Sequence, residues 1–94
     1  MAKQDDVTHD EVRQCYELRI EGETAVAAYR LDGGIAAFTH TEVPPALEGQ
    51  GIGSRLVKAA LDDVRERGLK VQPLCPFVKH YIDRHEEYRD LLSD

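Results

Sequence analysis

A chain of 94 residues with a hydrophobic fraction of 41% is sized for one small core and leaves no room for a second domain. Its 18 acidic against 12 basic residues give a net charge of −6, and no basic block interleaved with aromatics occurs, which speaks against nucleic acid as a partner. No apolar run reaches membrane-span length, the start MAKQDDVTHD is polar where a secretory leader is basic and then apolar, and two cysteines without a CxxC pair make neither a disulfide framework nor a zinc site. The expectation is one cytoplasmic domain over residues 1–94, without membrane contact and with Cys15 and Cys75 as free thiols.

Residues 1–11 read as a flexible start. Arg13–Ile20 alternates in the manner of a half-buried strand, Glu21-Gly22 turns the chain, and Glu23–Leu31 reads as a second strand. Asp32-Gly33-Gly34 is a hairpin signal, followed by a strand over Ile35–Val43 that Pro44-Pro45 stops by removing two ladder donors. The period then changes: Ile52, Leu56, Val57, Ala60, Leu61 and Val64 recur at helical spacing, with Gly68 as the stop. Leu69–Gln72 reads as a short strand, and a strand-helix-strand crossover makes its pairing parallel, so the sheet is mixed. After Pro73, CPFVKHYIDRHEEYRDLL reads as one or two short helices, with Pro76 suited to a first turn. The fold class is therefore α/β (α+β): an antiparallel amino-terminal meander, a glycine-rich strand-loop-helix and carboxyl-terminal helices.

Between the third strand and the long helix stands LEGQGIGSRL, with Gly49, Gly51 and Gly53 at alternate positions. Glycine costs helix stability, so three together need a reason. Bare backbone at a helix start is an anion site, because the first N–H groups lack intrahelical partners and point outward at the positive end of the dipole. A negatively charged protein would hold an anionic cofactor by such local means and not by its overall field. The dinucleotide fingerprint fails, since Ser54 stands at its sixth place, and Gly53-Ser54-Arg55 is not the end of a P-loop.

The segment Val43-Pro44-Pro45-Ala46-Leu47-Glu48-Gly49-Gln50-Gly51-Ile52-Gly53 resembles the acetyl-CoA motif of the GNAT acetyltransferase superfamily, a strand ending V-x-P, two residues, then R/Q-x-x-G-x-G/A opening a helix. Glu48 departs from it, standing where the superfamily has Arg or Gln. With PLCPFVKHYI following across one helix and a short strand, the chain is similar over roughly residues 12 to 92 to short single-domain GNAT-like N-acetyltransferases, which place a cysteine just after that strand.

The resemblance implies an acetyl-CoA-dependent transfer of an acetyl group to a primary amine of a small molecule or protein. Thr41, Glu42 and Val43 would line the pantetheine arm, which lies between two splayed strands. Gln50, Gly51, Ile52, Gly53 and Ser54 would offer N–H groups to the pyrophosphate, and Arg55 or Lys58 would reach the 3′-phosphate. Cys75 would lie near the thioester, either as a nucleophile or as a small buried hydrophobe. His40 and Glu42, two apart on one strand, share a face and are candidates for the base. Tyr81 would protonate the departing thiolate or pack as a helix aromatic. Cys15 reads as core or sheet surface. His80 and His85 are five apart, a spacing that does not align two imidazoles on a helix, so no metal is expected. Only Glu21-Gly22 separates two strands between which larger GNAT enzymes carry acceptor-binding helices, so a CoA-binding or interaction module without turnover is the alternative. A homodimer stays open.

Overall fold

The hairpin signals build one continuous meander in the computed structural model of the chain, which describes residues 7–93. Strands β1 (Val7–Asp10), β2 (Cys15–Ile20), β3 (Glu23–Asp32) and β4 (Ile35–Glu42) pair antiparallel in chain order, and β5 (Lys70–Pro73) joins β4 in parallel. Helix α1 (Ile52–Glu66) makes the crossover between them, after a short 3-10 turn at Pro45–Leu47. Helix α2 (Pro76–Arg84) and a 3-10 segment, Glu86–Leu91, close the chain.

Several expected bounds change: β2 starts at Cys15 and not Arg13, and β4 ends at Glu42 and not Val43. Of the start expected to be flexible, residues 1–6 lie outside the described residues, but Val7–Asp10 is a strand: Val7 pairs with Leu18, and His9 pairs with Tyr16, on whose ring it stacks at 4.2 Å. A histidine on the covered face, where a hydrophobe is usual, hid this alternation. The last strand begins one residue later than expected and includes Pro73, which is tolerated because β5 is an edge strand. Ser93 N–H donates to the Val71 carbonyl at 2.9 Å and covers part of that edge.

Tyr16, Leu18, Ala25, Ala27 and Phe38 point from the sheet into a core that Leu56, Val57, Ala60, Leu61 and Val64 of α1 and Val78 and Ile82 of α2 complete. Each fully buried Leu or Ile contributes about 1.5–3 kcal/mol, so α1 is held by its inward stripe. Both helices feed the same cluster, which leaves the other sheet face, with Glu17, Val26 and Ala28, without a helix above it. No helix of the described residues is long and apolar enough to cross a membrane.

One irregularity positions the site. Tyr29 pairs with Phe38 but Ala28 pairs with His40, so Thr39 is an extra residue, a β-bulge. A one-residue slip reverses which side chains face the core. Phe38 is inward before the bulge, and after it Thr41, opposite Ala27, takes that face, while His40 and Glu42, opposite Ala28 and Val26, take the open one.

Candidate functional site

The residues before α1 leave its amino end bare. Gly51 is the cap in the left-handed region at φ 73°, following Gly49 at φ 83°, and no side chain caps the helix. Arg55 N–H donates to the Gly51 carbonyl at 3.1 Å, so the N–H groups of Ile52, Gly53 and Ser54 precede the first intrahelical bond. Gly53 has a different reason. A Cβ there would lie 2.6 Å from Cζ of Phe77, so the Phe77 ring rests directly on the first turn of α1.

The ladder between β4 and β5 ends at the Phe38–Pro73 pair, and beyond it β4 is paired on its β3 side only. The space so opened is a cavity of about 530 Å³, lined by Thr41, Glu42 and Val43 of the β4 end, by Glu48, Gly49, Gly51, Gly53 and Ser54, and by Phe77. Of the residues singled out in the sequence, Thr41, Val43, Gly51, Gly53 and Ser54 line this one cavity. Gln50 turns away and donates from Nε2 to the Ala46 carbonyl at 3.3 Å, and the Ile52 side chain is buried in the core, which leaves its N–H as its only means of reaching this space. Arg55 lies on the first turn outside the lining, and Lys58 is held by Asp62 at 2.9 Å. Glu48 brings a carboxylate to the same cavity.

Cys75 sits at the cap of α2, its N–H donating to the Phe38 carbonyl at 2.9 Å at the point where β4 and β5 part. Its buried thiol donates to the Thr41 hydroxyl at 3.3 Å, so it adjoins the cavity through Thr41. His40 and Glu42 do share a face, with Nε2 and Oε1 3.8 Å apart, but the bulge turns both outward: their side chains are 63% and 72% exposed. Glu42 borders the cavity and His40 does not. Tyr81 lines a second cavity instead, of about 460 Å³, with Ser54, Pro76, Phe77, His80, Arg84 and His85. Burial, only partly offset by Lys58, pushes its phenol up, so the hydroxyl stays protonated at neutral pH. Burial likewise pushes up the Cys15 thiol, which lies against Glu17 on the face away from the helices and takes no part in either cavity. Among the described residues no group of three or more potential metal ligands comes together.

What the residues alone did not disclose is the pairing of Phe77 with Gly53 and the reversal at Thr39. Both depend on partners distant in sequence, and only the helical glycine itself was a signal.

This architecture is that of a known family. The sequence profile of GCN5-related N-acetyltransferases matches residues 15–91. Protein NATD1 of Mus musculus is 40% identical over 79 residues, covering 81% of this chain and 72% of that protein. Protein NATD1 of Danio rerio is 34% identical over 87 residues, with 87% and 79% covered. A GCN5-like protein from Staphylococcus aureus, solved by NMR in solution, superposes with a TM-score of 0.72 at 30% identity, covering 93% of this chain and 86% of that one. The chain belongs to the GCN5-related N-acetyltransferase family, and its mixed α+β sheet is the GNAT-like fold expected from its motifs.

Proposed function

We propose that the protein transfers an acetyl group from acetyl-CoA to a primary amine of a small molecule or protein. The observation that carries this reading is the cavity in which the bare amino end of α1 meets the edge of β4 that β5 leaves unpaired. An anion there meets the N–H groups of Ile52, Gly53 and Ser54 at the positive end of a 15-residue helix, with Gly49, Gly51 and Gly53 presenting no Cβ. Thr41 and Val43 border the space into which an extended arm would run, and Val43 lies beyond the last ladder pair, Val26–Glu42, where its N–H is suited to a carbonyl oxygen. The pieces fit the cofactor, with Glu48 the one unfavourable group.

Acetyl-CoA supplies an activated thioester, and the overall change is amine plus thioester to amide plus thiol. The protein's part is to hold the donor and take up a proton from the incoming amine. Glu42 at the cavity's edge is assigned as the base, with His40 beside it. The amine would arrive from the open sheet face at Glu42, and the chain's net charge of −6 suits a cationic acceptor. Cys75 acts through the Thr41 hydroxyl that its thiol supports.

A second reading, a CoA-binding or interaction module without turnover, draws on the exposure of His40 and Glu42. Calorimetric titration with acetyl-CoA, followed by thiol release over a panel of primary amines, separates the two. The proposal expects binding and release well above buffer hydrolysis; binding without release supports a CoA-binding module, and no binding at millimolar acetyl-CoA removes every reading but an interaction module.

A further inference from the structure

Thr41 differs from the other residues of the first cavity in what its hydroxyl already holds. We infer that this hydroxyl donates a hydrogen bond to the thioester carbonyl oxygen of the bound acyl donor, and that Cys75 is the positioning residue that aims it. This rests on the cofactor reading above and adds a side-chain donor that only the acylated cofactor can use.

Three observations support the assignment. The first is the bulge. With Phe38 on the core face, plain alternation would put residue 41 on the open one, and the extra residue at Thr39 instead turns Thr41 inward, to the gap that β5 leaves beside β4. The second is the thiol. Cys75 is 5% exposed, and its Sγ donates to Oγ1 of Thr41 at 3.3 Å. A hydroxyl has one proton and two lone pairs; with the thiol on a lone pair, the proton points elsewhere, and among the described residues no protein group accepts it. The thiol is itself held in place, because Cys75 N–H donates to the Phe38 carbonyl at 2.9 Å and its carbonyl accepts from Lys79 N–H at 3.0 Å, in the first turn of α2. The third is elimination. Of the side chains lining the cavity, the Glu42 and Glu48 carboxylates accept, Val43 and Phe77 offer no polar atom, and Ser54 stands on the first turn of α1 at the anion end. Thr41 is left as the side-chain donor for a carbonyl oxygen. That oxygen gains negative charge as an amine's electron pair adds to its carbon, so the bond is stronger in the transition state than in the ground state. No covalent bond of Thr41 or Cys75 changes.

The test is isotope-edited infrared spectroscopy of the whole chain with acetyl-CoA labelled with ¹³C at the acyl carbonyl, beside calorimetric titration with acetyl-CoA and with CoA. The labelled carbonyl band is expected to shift to lower frequency on binding. Thr41→Val, which keeps the shape and removes the hydroxyl, should lose part of that shift and bind acetyl-CoA about fivefold more weakly, with CoA affinity as it was. Thr41→Ser should restore both. Cys75→Ala should also lose part of the shift, and Cys75→Ser, which returns a donor, should recover it. A shift that survives unchanged in Thr41→Val overturns the assignment alone, as does an equal loss of CoA and acetyl-CoA affinity, which would put the bond on the pantetheine arm. A full shift in Cys75→Ala overturns the positioning role of the thiol. Binding of neither ligand overturns the cofactor reading together with it.

Discussion

At its amino end α1 begins on left-handed Gly51 with no side chain capping it by a hydrogen bond, whereas at its carboxyl end one oxygen of Asp63 accepts from Tyr16 at 2.7 Å and from Arg67 at 2.6 Å. Around that carboxyl end Arg67 also reaches Glu11 at 2.9 Å, Tyr88 donates to Asp62 at 2.6 Å, and Arg65 pairs with Asp90 at 2.8 Å. His9 stacks on Tyr16, bonds to the Tyr29 hydroxyl, and has Nδ1 3.4 Å from Asp63. The helix thus ties β1, β2 and the last segment together at one end and leaves backbone donors unused at the other. Backbone left without partners is a liability in a stabilising element and an asset in a binding one. Stability and binding should therefore respond to separate sets of substitutions.

The largest effect on stability is expected from Asp63→Ala, which removes the shared acceptor of Tyr16 and Arg67. Chemical denaturation should show a loss of about 1–3 kcal/mol, with CoA affinity of the folded protein unchanged. A fall in affinity parallel to stability would break the division between the two ends. At the amino end, Gly51→Ala forces a side chain into the left-handed region and should cost about 1 kcal/mol in the same measurement, while lowering CoA affinity by more than that cost.

Acid sharpens the contrast further. Burial alone would raise the Asp63 carboxyl, but the bonds from Tyr16 and Arg67 outweigh it and hold its pKa below the ordinary 3.8. A carboxyl whose pKa is depressed on folding stabilises the fold above the unfolded-state value, and this contribution is lost as pH falls through the folded one. Unfolding followed by circular dichroism should therefore set in below about pH 4, and Asp63→Asn should show less of that acid dependence. The smallest change in stability belongs to Glu48→Gln. It stays within about 0.5 kcal/mol of the unaltered protein, as exposed substitutions do, yet should tighten CoA binding severalfold by removing a carboxylate from the phosphate end of the cavity.

Local signals made the meander, α1 and the glycine loop legible, because hairpin turns, helical spacing and clustered glycines are written in neighbouring residues. The site was legible as a set of backbone donors for the same reason. The choice of face was not. Two-residue spacing correctly placed His40 and Glu42 together, but the bulge at Thr39 arises from how β4 pairs with β3 and decides which face they take. The three glycines looked equivalent in sequence and differ in cause: Gly49 and Gly51 serve positive φ, while Gly53 makes room for Phe77. The strand Val7–Asp10 escaped notice because its inward residues are Val7 and His9, and the histidine is accommodated only by Tyr16, Tyr29 and Asp63 from three other elements.

The central claim is that the open amino end of α1 receives the pyrophosphate of CoA. The most direct measurement is an amide-resolved NMR titration of the ¹⁵N-labelled protein with CoA. The account predicts the largest shifts at the N–H groups of Ile52, Gly53 and Ser54, with Asp63 and Arg67 unmoved. Saturable binding that leaves Ile52, Gly53 and Ser54 in place, or that moves the carboxyl end of the helix instead, would contradict it.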